Sequence, residues 1–172
     1  MFNRLKPDYY VPSIYSIDFD KLKQKGIKSL IIDIDNTLMP WGAKQADDNV
    51  KILIDSLFKR GFKICLLSNS SKRRIKKFIG NIKIEYYSGI GIKPMKRMFK
   101  GALNILNSLP GEVCCIGDQI FTDILGAKRC GIRTILVDPI FKKEFIATRY
   151  LRRLEDKIRK NLNYSKEIMK YE

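Results

Sequence analysis

The 172-residue chain contains no histidine. A zinc site of the usual histidine and cysteine ligands is therefore not expected, acid–base chemistry falls to carboxylates, and any metal should be a hard, oxygen-ligated one. Cysteine is sparse and shows no CxxC spacing. Cys65, Cys114 and Cys115 lie inside apolar strand-like runs and Cys130 ends a helix-like one, the pattern of buried free thiols rather than a disulfide framework. No apolar run approaches the roughly 20 residues that span a bilayer. The opening "MFNRLKPDYYVPSIYS" has neither the long apolar core nor the small-residue cleavage site of a signal peptide. The expected location is the cytoplasm, with peripheral contact at the inner membrane surface as a variant. Internal repeats and low-complexity segments are also missing. Acidic residues are few, 18 against 34 lysines and arginines, giving a net charge of +16. That balance suits anionic partners: a phosphorylated substrate, acidic lipid or nucleic acid. The same lysines could simply solvate surface helices, so charge alone selects none of them, and oligomeric state is not legible.

What is present is an alternation of strand-like and helix-like segments. Residues 28–35, 62–69, 82–89, 112–118 and 133–138 read as strands. Between them, Val50, Leu53, Ile54, Leu57 and Phe58 recur at helical spacing, 71–80 forms a short basic helix, Met95, Met98, Phe99, Ala102, Leu103 and Leu106 make a third apolar face, and 121–130 a fourth helix. This order predicts an α/β fold of the Rossmann-like kind, a parallel sheet with helices on both faces. Three parts are expected: a lead-in over 1–27 packing on the core, the core over 28–141, and a basic C-terminal helix over 142–172. The helix carries Ile146, Tyr150, Leu154, Ile158 and Leu162 at four-residue intervals.

The strand "KSLIIDIDNTL" is interrupted by Asp33 and Asp35. Carboxylates are rarely buried unless paired or bound to a cation. In a parallel sheet the working edge is the carboxyl end of the strands. "DIDNT", "SNS" and "GDQIFTD" all end strands, so Asp33, Asp35 and Asp118 should converge. Crowded carboxylates repel, and Mg²⁺ relieves the conflict with oxygen ligation that includes substrate phosphate.

Four segments together resemble the motifs of the haloacid dehalogenase (HAD) superfamily of aspartate-nucleophile phosphatases. They are DxDxT at Asp33–Thr37, a strand ending in Ser68 followed by Asn69, Lys93-Pro94, and Gly117-Asp118 with Asp123. The last has one residue more between its acids than the shortest form of that motif. The resemblance implies that Asp33 attacks phosphorus to form an aspartyl-phosphate, and that Asp35 protonates the leaving oxygen and then activates water. It implies that Ser68, Asn69 and Lys93 hold phosphoryl oxygens. Mg²⁺ would be held by Asp33, Asp118 and the backbone carbonyl of Asp35. Thr37 would shape the turn, and Asp123 would support Lys93 or a metal-bound water.

The gaps between these motifs hold one or two elements each and leave no room for a cap domain. Over residues 5–150 the chain is most similar to the capless subfamily IIIA group that includes bacterial proteins and mitochondrial phosphatidylglycerophosphate phosphatases. This implies removal of the terminal phosphate from a lipid. A phosphatase of soluble sugar phosphates or nucleotides would use the same residues. An RNA- or ribosome-bound module on the same fold is disfavoured by the intact acids and by the lack of an aromatic RNA-binding segment.

Overall fold

The computed structural model describes residues 5–141 and 149–170, the side chains of 149–153 excepted. Six strands form one parallel sheet in the order β1-β6-β5-β2-β3-β4. The strands are β1 Tyr9–Val11, β2 Ser29–Ile32, β3 Lys63–Leu67, β4 Glu85–Tyr87, β5 Val113–Gly117 and β6 Arg133–Val137. All four residues of β2 are buried, as a central strand covered on both faces requires. Leu30 and Ile32 face one core with Ile64 and Leu66, while Ile31 faces another with Cys65 and Cys115. The period-two alternation of strand side chains makes that division.

Helices α1 (Phe19–Gln24), α2 (Asp48–Lys59) and α3 (Lys72–Ile79) fill the first core. Each starts on a capping side chain: Asp18, Asp47 and Ser71 accept from the backbone N–H three residues on. Helices α4 (Lys96–Leu106) and α5 (Leu125–Lys128) cover the opposite face through Met98, Phe99, Ala102 and Ala127. Cys65, Cys114 and Cys115 are buried and Cys130 half-buried, all as free thiols. Burial pushes the Cys65 thiol up to about 12, so it is inert at neutral pH.

The lead-in does more than pack on the core, because Tyr9–Val11 adds an edge strand beside β6. Asp8 pins it, accepting from the Thr134 N–H at 2.8 Å and the Lys128 ammonium at 2.5 Å. The tail also departs from one long helix. Helix α6 spans Arg149–Arg159, and the chain then turns back to a short 3₁₀ helix at Lys166–Ile168. Ile168 is wholly buried in the first core, and its carbonyl accepts from Asp18 N–H at 2.7 Å. A continuous helix could not bring that side chain to the core. Of the predicted stripe, Ile158 and Leu162 pack against Tyr10, Ile120, Ile124 and Leu136. Leu154 is partly exposed. Ile146 and the start of the predicted helix at Lys142 lie outside the described residues, as does the side chain of Tyr150.

Candidate active site

Three central strands, β2, β3 and β5, end beside one another, and the chemistry-bearing residues follow those ends. After β2 the chain turns through Asn36 at φ 64°, a left-handed conformation that asparagine tolerates. The turn is closed by Asn36 N–H on the Met39 carbonyl at 2.7 Å. It leaves Asp33 buried at the strand end and Asp35 partly open. Thr37 is buried within the turn, and its hydroxyl has no hydrogen-bond partner among the described residues.

Lys93 is the centre of the buried part. Its ammonium donates to Asp33 Oδ1 at 2.5 Å and to Asp123 Oδ1 at 2.6 Å, all three side chains being buried. Asn69 places it: Asn69 Oδ1 accepts from the Lys93 N–H at 2.7 Å, and its amide nitrogen reaches the Lys93 carbonyl at 3.5 Å. Asn69, expected among the phosphate-binding groups, thus has its side chain on the backbone of Lys93. Ser68 sits at the end of β3, accepts from Ser70 N–H at 3.1 Å and donates towards Asp35 Oδ2 at 3.4 Å.

Asp118 and Asp123 come from the end of β5. The extra residue between them is taken up by a π-helical turn, Ile120–Ile124, in which both Asp123 and Ile124 N–H groups return to the Gln119 carbonyl. The turn folds Asp123 back over Gly117. A Cβ on Gly117 would lie 2.4 Å from Asp123 Cγ, so a side chain there would displace the carboxylate. One oxygen each from Asp33, Asp118 and Asp123 lie within 4.8 Å of one another. The donors are three buried carboxylates, of which Asp33 and Asp123 share a single ammonium. Such a set fits a hard divalent cation, which supplies the positive charge the acids lack. The Asp35 side chain lies outside this trio.

Asp35 has a different partner, one that sequence reasoning missed. Arg74, on the first turn of α3, grips it with both arms: Nη1 on Oδ2 at 2.7 Å and Nη2 on Oδ1 at 2.5 Å. Ser70 Oγ adds a bond to Oδ2 at 3.0 Å. Two oppositely placed carboxylates therefore differ in electrostatics. Burial, reinforced by Asp123 and Asp35, pushes the Asp33 carboxyl up to about 7 against the pull of Lys93. Burial also acts on Asp35, but the Arg74 fork outweighs it and holds the carboxyl below its usual range. Burial disfavours the Lys93 charge, yet Asp123 and Asp33 more than offset this and keep it protonated.

Arg159 of α6 was likewise not foreseen. Its guanidinium donates to the Asp118 backbone carbonyl, to the Val137 carbonyl at 3.1 Å and to Asp138 Oδ1 at 3.2 Å. Glu155, one turn earlier, accepts from Phe121 N–H at 3.0 Å within the π-helical turn. The tail thereby braces the segment that carries Asp118 and Asp123. Residue type gave no hint of either arginine, in a chain with 34 cationic side chains.

Residues 91–139, from just before Lys93 to just past β6, match the HAD-hydrolase-like family. A probable phosphatase of Bacillus subtilis (strain 168), YqeG, is 34% identical over 152 residues, which cover 88% of each chain. The chain belongs to the haloacid dehalogenase superfamily. Two relatives matched over most of this chain carry phosphatase names, one of them as probable, and this HAD protein is a phosphatase too. The chloroplastic/mitochondrial phosphatidylglycerophosphate phosphatase 1 of Arabidopsis thaliana is 28% identical over 161 residues, covering 87% of this chain and 45% of that protein. A HAD-superfamily hydrolase of Ehrlichia chaffeensis shares the fold, with a TM-score of 0.54 at 17% identity over 76% of this chain and 98% of its own.

Proposed function

We propose that this HAD phosphatase is a Mg²⁺-dependent phosphomonoesterase that works through an aspartyl-phosphate on Asp33 and acts on phosphatidylglycerophosphate or a closely similar lipid phosphate. The observation that carries the mechanism is the convergence of Asp33, Asp118 and Asp123 around Lys93 at one strand edge. Asp33 would attack phosphorus as the P–O bond to the leaving alcohol breaks. Lys93 and Ser68 would donate to the phosphoryl oxygens, where charge accumulates. Asp35 would pass a proton to the departing oxygen and later take one from the water that cleaves the intermediate. The side chains of Asp33 and Asp118, with Asp123 beside them, would hold Mg²⁺, whose contribution is to neutralise phosphoryl charge and let two anions meet.

The lipid assignment is supported by openness. Among the described residues, fifteen residues without a helix or strand separate β2 from α2, and four residues separate β3 from α3. Among the described residues no cap element covers the strand ends, so a substrate with bulk of its own can approach. The Arabidopsis relative and the net charge of +16 point the same way. The test is phosphate release from phosphatidylglycerophosphate in mixed micelles, sugar phosphates, nucleotides and a phosphopeptide. The lipid should give the highest kcat/KM by a wide margin. Preference for a soluble sugar phosphate or nucleotide would reject the lipid assignment while leaving the chemistry standing.

Two further results are expected. Below about pH 7 the Asp33 carboxyl holds a proton that Mg²⁺ must displace. Mg²⁺ affinity should therefore fall by up to about tenfold per pH unit on going below 7. In the metal-free protein, stability should decline as pH rises from the ordinary aspartate value of 3.8 to about 7, because only the unfolded chain ionises freely in that window. Mg²⁺ titrations followed by melting temperature at pH 5.5 and 8 test both; equal affinity at the two values would contradict them. Separately, Arg74→Ala removes the fork that favours ionised Asp35. The alkaline limb of the pH–rate profile for an alkyl phosphate should move to higher pH, since Asp35 then keeps its proton longer. An aryl phosphate with an easily displaced leaving group should show less of the shift.

A further inference from the structure

We propose that the loops around the active-site mouth form a docking surface for an anionic lipid bilayer, so that the phosphatase works with its strand ends facing the membrane. The proposal rests on the lipid-phosphate reading above and adds the surface that would serve it. Trp41, Ile90, Ile92, Met95, Ile140 and Phe141 are all exposed, Trp41 by 55% and Ile90 by 83%. They lie on the three loops that leave the carboxyl ends of β2, β4 and β6. Among the described residues seven other large apolar side chains are exposed elsewhere on the surface and need no explanation singly, but six gathered on the rim of a working site mark an interaction surface.

Contacts tie these loops to the site. Asn36, within the nucleophile turn, accepts from Trp41 N–H through its side chain at 3.1 Å and from Ile140 N–H through its carbonyl at 3.0 Å. Ile92 directly precedes Lys93. The tips therefore stand at fixed positions around Asp33.

Charge complementarity selects the partner. Helices α3 and α4 follow β3 and β4, so their first turns lie at the same edge. Those turns present the exposed cations Lys72, Arg73, Lys96 and Arg97. Apolar tips for shallow insertion, surrounded by cations for headgroups, match an anionic bilayer. Tryptophan is favoured at that interface because its ring is apolar and its N–H polar. Helix α6 is less suited, since its Ile158 is already spent on the domain. A headgroup phosphate could then reach Asp33 while its acyl chains stay in the bilayer.

The chain has one tryptophan, and it stands on this rim. Emission of the full-length protein should shift to the blue on vesicles of equal phosphatidylglycerol and phosphatidylcholine, be quenched by brominated acyl chains, and stay unchanged on phosphatidylcholine alone. Ile90→Ser/Ile140→Ser/Phe141→Ser should lower partitioning onto the anionic vesicles at least tenfold, with turnover of a soluble aryl phosphate unchanged. Sedimentation with vesicles without a tryptophan response would overturn the proposal in favour of another face. Absence of vesicle binding at low salt, or full binding by the triple variant, would overturn it as well. Hydrolysis of the lipid in detergent micelles with no tryptophan response would keep the substrate assignment and reject the rim. Tryptophan insertion with no lipid hydrolysis would do the reverse.

Discussion

Asp33→Asn is expected to lower Mg²⁺-dependent phosphate release by about 10⁴-fold or more, the scale seen when a covalent nucleophile is removed. The amide is nearly isosteric, and its oxygen can still accept from Lys93, which donates to Asp33 Oδ1 at 2.5 Å. What disappears is the anionic oxygen that would attack phosphorus. The fold should survive, because the change also removes a buried carboxyl whose ionisation burial opposes. Melting temperature in the absence of Mg²⁺ should stay level or rise. Burst kinetics and acid-stable labelling with a phosphorylated substrate should both vanish. Turnover close to that of the parent chain, with label recovered on Asp35, would reverse the roles assigned to the two acids.

Lys93→Met should damage stability as well as activity. The ammonium bridges Asp33 and Asp123 with bonds of 2.5 and 2.6 Å, and all three side chains are buried. Removing one partner of a buried ion pair typically costs about 3–5 kcal/mol, and here two carboxylates are left facing each other. The loss should depend on pH in a defined direction. At pH 8 an ionised Asp33 faces Asp123 without the bridging ammonium, so the melting temperature falls steeply. Near pH 5 Asp33 can take up a proton, and much of the deficit should be recovered. Added Mg²⁺ should restore part of the stability at pH 8, since it supplies positive charge to the same carboxylates. It should not restore turnover, because the donor to the phosphoryl group is still missing. Equal melting temperatures for parent and variant at pH 8 would show that the lysine does not hold these acids together.

Both results bear on how the cluster is built. Asn69 fixes the backbone of Lys93, Gly117 leaves room for Asp123, and the π-helical turn carries Asp123 back to the lysine. A Gly117 side chain would strike the carboxylate. Each device is remote in sequence from the nucleophile, and each is spent on one atom's position.

The sequence by itself determined the alternation of strands and helices, because apolar periodicity is local and the strands of a parallel sheet read as continuous runs. It also placed the acids at strand ends, since side chains that break such runs stand out, while Lys93 was marked only by the family resemblance. Tertiary structure decided the rest. The edge strand β1 is three residues long and is made by pairing with β6, more than 120 positions away. Composition cannot signal so short a partner. The tail read as one amphipathic helix, yet its end turns back to bury Ile168 in the core. Only the pairing of that end with Ser16, Ile17 and Asp18 distinguishes its fate from a free helix. Arg74 and Arg159 were invisible among the other cations, because a cation's meaning lies in what it faces: the Asp35 carboxylate for one, the Asp118 carbonyl for the other. Residue type fixes what a side chain can do, and only the packed chain fixes which atom it meets.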